Sequence, residues 1–539
     1  MQEGMKRRDF LTRVGLVGGA GAMYGTMDAL GLIASPTNAP AAWAGEQAAW
    51  RPPHKADFDY AGHHGRPSVV VLGAGVAGLV TAYELGKAGY RCTVLEARGR
   101  PGGRNWTVRG GTEETEIGGV RQRADFSKGQ YLNAGPARIA GHMVTLDYCR
   151  ELGVPIEVFT NANADAYYYN EGVGPLSGKP IRHRTGKADM YGYVSELLAK
   201  ATDQGALDGR LNEADQARLI SFLRSFGAIN AQNAYTGGSR RGYSVEPGAG
   251  TEAGTPLGPP FALEELLQSQ IGNNFSFEFG WDQAMLMFQP VGGMDRIPYA
   301  LAEAVRRTGG RIVSDAPVVE VLNVGGGVRV AYRDGWRTRV AEGDFAVCTI
   351  PPQVMKGVAS NLAPATKDAL AYAVGVATGK IGLEYKRRFW EEDEQIFGGI
   401  TNTNMDLSTI WYPSYGYLGD RGLVVGYYNF GANAVSYGDA PLPERLSRAL
   451  AQGRKIHGDA YARELRTSFS VAWQKIRYSE GGWVSWPSRT SGQYTRLLEP
   501  DGNVYFAGDH LSYYIAWQSG AIESARKVVM QIHDRVRSA

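Results

Sequence analysis

The sequence Val69-Val70-Val71-Leu72-Gly73-Ala74-Gly75-Val76-Ala77-Gly78 places a short apolar run directly before a G-x-G-x-x-G motif. The run predicts a buried parallel strand, and the residues after it predict a helix through about Lys87, ended by Gly89. Arg91–Leu95 predicts a second strand, with Glu96 at its end. This order of strand, glycine motif, helix and acidic residue is typical of a dinucleotide-binding βαβ unit.

Each position of the motif has its own physical role. Gly73 permits a tight turn, Gly75 lets the backbone approach a pyrophosphate, and Gly78 lets the helix pack closely on the strand. The helix N-terminus adds N–H donors and partial positive charge for phosphates. Glu96 can accept hydrogen bonds from ribose hydroxyls. The sequence therefore predicts a dinucleotide site at these residues.

The composition excludes several classes of protein. The 72 glycines have no three-residue period, which excludes collagen, and 43% hydrophobic with 21% charged residues excludes a disordered chain. A net charge of +3 is too balanced for a nucleic-acid binder that neutralises phosphates. The three cysteines, Cys92, Cys149 and Cys348, are far apart and odd in number. They predict buried thiols, with neither a disulfide framework nor a metal site.

The 539 residues exceed the roughly 250–300 residues at which a single core stops growing. Strand-like and helical patterns interleave, so we expect discontinuous domains in an α/β fold. A Rossmann-like domain is predicted from 67–138, 286–375 and 481–539, a mixed-sheet substrate domain from 139–180 and 376–480, and a helical insertion from 181–285. Within them we predict helices over 213–226 and 261–271 and from about 519, a loop over 236–260, and strands over 311–314, 318–322, 328–332, 345–349 and 504–507.

The N-terminus resembles a twin-arginine export signal. Lys6-Arg7-Arg8-Asp9-Phe10-Leu11 precedes a glycine-rich apolar run, and Ala42-Trp43-Ala44 offers a small-x-small cleavage site. Asp28 interrupts the run, so a stable membrane anchor is not expected. We expect residues 1–44 to be a signal peptide, 45–66 to be an arm, and the protein to be exported to the periplasm or secreted.

A second motif narrows the choice of dinucleotide cofactor. Glu96-Ala97-Arg98 is followed by Arg100-Pro101-Gly102-Gly103-Arg104, an extension that resembles the flavin amine oxidases. The resemblance covers most of the chain after residue 66, including Thr349-Ile350-Pro351-Pro352 and Ala507-Gly508-Asp509. It implies FAD, with Arg104 at the pyrophosphate, Gly508 and Asp509 near the ribityl–pyrophosphate region, and Val318 at the adenine.

Three further segments resemble the L-amino acid oxidases of this superfamily. Asn133-Ala134-Gly135-Pro136-Ala137-Arg138 matches the segment whose arginine binds the substrate carboxylate, and a guanidinium fork suits that partner. Gly426-Tyr427-Tyr428-Asn429-Phe430 implies Tyr428 as a second carboxylate contact. Thr378-Gly379-Lys380 resembles the strand whose lysine holds a water near flavin N5.

The C-terminal segment Ala516-Trp517-Gln518-Ser519-Gly520-Ala521 resembles the family's aromatic wall beside the flavin, followed by a helix that points its N-terminus at the flavin. The family more often has Gly at Ala516 and Glu at Asp509. Trp483 stands where monoamine oxidases with covalent flavin carry cysteine, which implies non-covalent FAD. The cofactor-binding residues implied in all are Gly73, Gly75, Val76, Ala77, Gly78, Glu96, Ala97, Arg98, Gly103, Arg104, Gly135, Pro136, Ala137, Arg138, Val318, Gly508, Asp509, Trp517, Gln518 and Ser519.

The resemblance implies an L-amino acid oxidase. Arg138, Tyr428, Lys380 and Trp517 are its expected catalytic residues. Trp483, Phe430 and Ala516 are the expected walls of the side-chain pocket; with Trp517, the rings favour large apolar or aromatic side chains, although an aromatic box can also bind a cation.

The reaction implied is hydride transfer from the amino acid to flavin N5, which yields a 2-oxo acid, ammonia and hydrogen peroxide. Its partners are an L-amino acid and oxygen, and a homodimer or higher homo-oligomer is expected. Alternatives left open are a monoamine or polyamine oxidase, a tryptophan 2-monooxygenase-like enzyme, a dehydrogenase with another electron acceptor, and a non-catalytic flavoprotein. The preferred side chain and any general base are left open as well.

Overall fold

The computed structural model describes residues 67–207 and 209–538. The predicted export signal (1–44) and arm (45–66) lie outside the described residues. Across the described ranges, helices that combine the length and the apolar character needed to cross a bilayer are absent. The same ranges contain no cluster of His, Cys, Asp and Glu side chains that could hold a metal ion.

A five-stranded parallel sheet forms one half of the molecule. Its order is Arg311–Val313, Arg91–Leu95, Ser68–Leu72, Phe345–Cys348 and Val504–Phe506. The central strand Ser68–Leu72 is almost wholly buried, as a parallel strand covered on both faces should be. Helix Val76–Lys87 follows it and packs against the C-terminal helix Gln518–Ser538. The predicted βαβ unit is confirmed, and its strands join others from two distant parts of the chain.

A four-stranded sheet adjoins the parallel sheet. Its order is Arg337–Gly343, Gly327–Asp334, Val318–Val324 and Ala359–Ser360. The edge strand Arg337–Gly343 was not predicted, because its largely exposed residues carry no apolar alternation. Helices Arg296–Arg307, Pro352–Met355 and Pro364–Tyr372 complete this half.

A seven-stranded mixed sheet forms the other half. Its order is Leu465–Ala472, Thr378–Tyr385, Gly422–Phe430, Thr409–Trp411, Ile400–Thr403, Tyr167–Tyr169 and Ile181–Arg182. Only the pair of Ile400–Thr403 with Tyr167–Tyr169 is parallel among these described strands. The helices of this half are Phe389–Glu392, Gly431–Asp439, Leu442–His457 and Ala460–Arg463. The fold is therefore the predicted α/β architecture with a mixed second sheet.

Helices His183–Asp203, Glu213–Gly227 and Leu263–Ser269 lie in the predicted helical insertion. Asn212 caps the second helix by accepting a hydrogen bond from the Asp215 N–H at 2.9 Å. The predicted loop 236–260 contains a short turn of helix and a hairpin, Ser239–Arg241 and Tyr243–Val245 with Thr255–Pro256.

Shorter elements connect these units. They are the strand pairs Thr107–Arg109 with Tyr131–Asn133, Glu113–Thr115 with Arg121–Arg123, Ile156–Thr160 with Leu286–Pro290 and Val374–Val376 with Trp483–Ser485, the helices Thr145–Glu151 and Gly492–Arg496, and the 3-10 turns Ile271–Asn274, Phe277–Phe279, Trp473–Lys475 and Asp509–Leu511. Cys92, Cys149 and Cys348 are buried free thiols, as predicted. Burial raises the pKa of each, to about 11 for Cys149 and about 12 for the other two.

Candidate active site

A cavity of about 600 Å³ opens at the carboxyl ends of the parallel strands. In sheets of this type, ligands bind at that edge. The predicted cofactor residues that line it are Gly73, Gly75, Val76, Ala77, Glu96, Ala97, Arg98, Gly103, Arg104, Gly135, Pro136, Val318, Gly508, Asp509, Trp517 and Gln518. The structure thus brings together segments separated by more than 400 positions in the chain.

Four predicted cofactor residues do not line the cavity. Gly78 lies where helix and strand meet, and a Cβ there would fall well inside contact distance of the Gly73 carbonyl oxygen. The Ser519 hydroxyl hydrogen-bonds to Thr145 at 2.9 Å, behind the helix N-terminus. Ala137 is buried in the core behind the cavity, and Arg138 lies beyond the cavity's aromatic end. The first three residues therefore contribute to packing, and Arg138 lies near the aromatic end of the cavity.

Glu96 is fixed by the backbone on either side of it. Its Oε2 accepts the Ala74 N–H at 2.8 Å, and its Oε1 accepts the Arg98 N–H at 2.9 Å. The carboxylate is buried but reaches the cavity wall. It is held where the glycine motif and the second strand meet, as its predicted ribose contact requires.

An ion pair joins three segments across the cavity. Arg104 pairs with Asp509 and donates to the Gly482 carbonyl at 3.0 Å, and Asp509 accepts the Ala516 N–H at 3.0 Å. Burial alone would raise the pKa of Asp509, but the charges of Arg104 and His510 and the hydrogen bonds from Ala516 and Arg104 hold it below its usual range. Ala516 has φ +66°, a left-handed conformation in which glycine is less strained. The conformation gives a physical reason for the glycine that the family resemblance implies at this position.

Several polar atoms on the cavity wall are buried without a hydrogen bond among the described residues. These atoms are the amide nitrogen and oxygen of the Asn105 side chain, Thr378 Oγ1, Gln353 Oε1 and Gln518 Nε2. A buried polar atom without a partner is costly, so native proteins rarely keep one without a reason. Five such atoms around one cavity indicate a polar ligand.

The aromatic end of the cavity is organised around Trp411, which sequence reasoning did not identify. Its ring lies 4.5 Å from the Arg138 guanidinium carbon and 5.3 Å from Lys380 Nζ. Tyr428 meets the same ring edge-on, with centroids 5.1 Å apart, and its own ring lies 4.4 Å from Lys380 Nζ. Arg138, Lys380 and Tyr428, three of the residues predicted to be catalytic, therefore all lie close to the Trp411 ring.

Burial shapes the ionisation of this group. Burial, with a smaller contribution from the Arg138 charge, lowers the pKa of Lys380 to about 7. Its ammonium donates to the carbonyls of Asn133 at 3.1 Å and Gly135 at 2.5 Å. Burial raises the pKa of Tyr428 to about 12, against the opposing effect of Arg138. Tyr428 is therefore a hydrogen-bond donor at neutral pH, while Lys380 can change its protonation there.

The predicted side-chain pocket is partly assembled at this end. Trp483 and Ala516 line the cavity, whereas Phe430 lies behind it, 5.5 Å from the Trp483 ring and 4.4 Å from the Tyr428 ring. Trp517 also lines the cavity, and its ring is 5.9 Å from the Arg138 guanidinium carbon. Phe430 is thus a supporting residue for the wall.

A second set of contacts was missed because it comes from an irregular segment, residues 277–285. Gln283 Oε1 accepts a hydrogen bond from Arg138 Nη2 at 3.1 Å, and Asp282 Oδ2 accepts one from Trp517 Nε1 at 2.9 Å. No periodic or motif signal in the sequence marks these residues. Tertiary structure alone brings them to the aromatic end of the cavity.

The sequence matches a protein-family model and several named proteins. The family model described as flavin containing amine oxidoreductase matches residues 76–533. The Bacillus subtilis (strain 168) protein named "Putative L-amino-acid oxidase YobN" is 27% identical over 500 residues, covering 86% of this chain and 94% of that protein. The L-amino-acid oxidase of Gloydius blomhoffii is 25% identical over 484 residues, covering 86% of this chain and 88% of that protein.

Solved structures show a similar fold. Cyclohexylamine oxidase from Brevibacterium oxydans IH-35A has a TM-score of 0.58 and 16% identity, covering 88% of this chain and 100% of that one. Wild-type putrescine oxidase bound to putrescine has a TM-score of 0.57 and 19% identity, covering 87% of this chain and 99% of that one. At these identities the likeness establishes the fold alone.

Proposed function

Since the chain belongs to the flavin-containing amine oxidoreductase family, we propose that it is an FAD-dependent L-amino-acid oxidase. The reaction consumes an L-amino acid, oxygen and water, and forms a 2-oxo acid, ammonia and hydrogen peroxide. Support comes from relatives named as L-amino-acid oxidases and from the residues at the aromatic end of the cavity.

FAD is the cofactor that the family implies, and the cavity fits it. The 73–78 turn and helix N-terminus suit a pyrophosphate, Glu96 suits a ribose, and the buried amide atoms of Asn105 and Gln518 offer polar contacts. When bound, FAD supplies the acceptor for the substrate's α-hydrogen and electron pair and passes two electrons to oxygen. We propose that FAD binds non-covalently, because no cysteine is among the described cavity-lining residues. Trp483 stands where the resemblance places the cysteine that holds the flavin in monoamine oxidases with covalent flavin.

The observation that carries the substrate assignment is that the Arg138 guanidinium and the Tyr428 ring both lie against the Trp411 ring at the aromatic end. A guanidinium binds a carboxylate through two parallel hydrogen bonds, and a protonated phenol adds a third donor. Together they would fix the α-carbon of an amino acid in one orientation, which is the main requirement for transfer of its hydrogen.

Lys380 is the group placed to move protons in this proposal. Its pKa of about 7 lets it take up or release a proton near neutral pH, and its bonds to the Asn133 and Gly135 carbonyls fix its position. The aromatic surfaces of Trp483 and Trp517 favour large apolar or aromatic substrate side chains, because they bury area and stack on rings.

An amine oxidase is the competing function, since the similar solved structures are named as amine oxidases. An amine lacks the carboxylate that Arg138 would bind. A peroxide assay across L-amino acids, their D-enantiomers and the corresponding decarboxylated amines separates the two. We expect turnover of L-amino acids; turnover of the amines alone would reject the proposal.

We also propose export through the twin-arginine route, on the basis of Arg7 and Arg8, and assembly into a homodimer or larger homo-oligomer. Replacing both arginines by lysine should retain the protein in the cytoplasmic fraction, and unchanged export would contradict the route. Light scattering of the purified holoenzyme tests the assembly, which a monomeric mass would exclude.

A further inference from the structure

A loop that no motif identified covers one side of the cofactor cavity. Residues 473–482, called the strap below, connect the mixed sheet to strand Trp483–Ser485. Six of its residues line the cavity: Trp473, Arg477, Tyr478, Ser479, Glu480 and Gly482. The Arg477 and Glu480 side chains are exposed, and Ser479 is buried. The strap therefore separates the cavity from solvent.

Side chains from the other half of the molecule fasten the strap. Arg98 donates to the Arg477 carbonyl and, at 2.9 Å, to the Ser479 hydroxyl. Gln353 Nε2 donates to the Ser479 carbonyl at 2.8 Å. Arg98 is itself tied through its backbone N–H to Glu96. The guanidinium that the sequence assigned to the cofactor thus bonds to the loop that covers the cofactor's cavity.

The strap has a strained backbone. Tyr478 has φ +65° and Glu480 has φ +50°, both in the left-handed region that non-glycine residues rarely adopt. Such strain persists only where surrounding contacts hold it, and it concentrates at ligand clamps. Removing the contacts that hold the strap should therefore let it relax toward an open conformation.

We propose that the strap closes over bound FAD and that Arg98 is the positioning residue that holds it closed. The cofactor leaves when the Arg98 bonds to the strap break. The proposal rests on FAD binding in this cavity and is independent of which substrate the enzyme oxidises.

The test is the rate of FAD release, followed as free-flavin fluorescence after dilution of the holoenzyme. Arg98→Met removes both bonds and should speed release on the order of tenfold or more, because hydrogen bonds from a charged donor are strong. Ser479→Ala removes one acceptor and should give a smaller increase. Arg535→Met is the matched control, since Arg535 also bonds a loop of the parallel sheet, at the Gly502 carbonyl and Asn503, away from the cavity.

A second readout reports the strap itself. With saturating FAD, trypsin should cleave after the exposed Arg477 faster in Arg98→Met than in the wild type or in Arg535→Met. If Arg98→Met purifies without flavin, titration of the apoprotein with FAD should show weaker binding. Wild-type release rates or affinities in both Arg98→Met and Ser479→Ala would overturn the proposal. A wild-type protein that binds no FAD would instead contradict the cofactor assignment.

Discussion

The two ends of the cavity are built in different ways. At the cofactor end, the wall comes largely from short contiguous segments, such as 73–77 and 95–98, placed at the ends of parallel strands. At the aromatic end, single side chains from distant segments converge on Trp411: Arg138, Lys380 and Tyr428. The cofactor end is formed by backbone that can come close to a ligand. The aromatic end is formed by side chains whose positions depend on strand register and packing.

This difference has a physical consequence for substitutions. At the cofactor end, an added methyl group meets either backbone that cannot move aside, as at Gly78, or the open space of the cavity, as at Gly75. At the aromatic end, a lost functional group removes binding while the fold persists.

Comparison of Gly78→Ala with Gly75→Ala separates two roles of the glycines: close packing of helix on strand, and close approach of the backbone to the cofactor. A Cβ at Gly78 would overlap the Gly73 carbonyl oxygen, whereas a Cβ at Gly75 has no protein atom within 4 Å. Gly78→Ala should destabilise the protein by about 3 kcal/mol or more, because backbone overlap cannot relax. Gly75→Ala should leave the unfolding temperature of the apoprotein unchanged and lower its flavin content. Thermal unfolding and flavin absorbance measure both, and equal losses of stability would break the contrast.

Arg138→Met tests the proposed contact between Arg138 and the substrate carboxylate. Arg138 is half-buried. Losing a charge that binds substrate costs about 2–5 kcal/mol, so kcat/KM for L-amino acids should fall by roughly one and a half to three and a half orders of magnitude. Arg138→Lys keeps the charge without the fork and should lie in between. The visible flavin spectrum should be retained in both. A nearly unchanged kcat/KM in Arg138→Met would remove the carboxylate assignment.

Lys380→Met tests the buried ammonium through the pH dependence of stability. The pKa of Lys380 falls from 10.5 to about 7 on folding, so between these values the unfolded chain binds more protons than the native one. Stability from this group therefore rises as the pH rises from about 7 toward 10.5. Denaturant unfolding at pH 7 and pH 9.5 should show the wild type gaining stability relative to Lys380→Met. An identical change in both proteins would contradict the lowered pKa.

Ala516→Gly should have the smallest effect. Ala516 has φ +66° and its N–H is held by Asp509, so glycine should relieve strain and stabilise the protein by up to about 1 kcal/mol. Ala521→Gly, inside the following helix, is the matched control and should destabilise the protein. A loss of stability in Ala516→Gly would show that the conformation is not strained.

The sequence was informative where function depends on local order. The strand, turn and helix over 68–87 follow from contiguous residues, so the dinucleotide-binding unit could be predicted from local pattern. The rest of the cofactor end, such as Arg104 and Asp509, was predicted from the family resemblance. The role of Trp411 could not be predicted, because its contacts with Lys380 and Tyr428 depend on the pairing of strands Thr378–Tyr385 and Gly422–Phe430. The register of that pair shifts between Ile381 and Gly382. Asp282 and Gln283 come from a segment without periodicity, and the edge strand Arg337–Gly343 lacks an apolar pattern. Long-range packing decides these positions, and one-dimensional patterns do not record it.

The most direct test of the central claim is anaerobic mixing of the holoenzyme with L-phenylalanine or 2-phenylethylamine, which differ only in the carboxylate. Loss of the oxidised flavin absorbance reports electron transfer without requiring oxygen as the final acceptor. L-Phenylalanine should bleach the flavin rapidly and the amine far more slowly, with the difference reduced in Arg138→Met. Bleaching by the amine as fast as by the amino acid would contradict carboxylate recognition at this site.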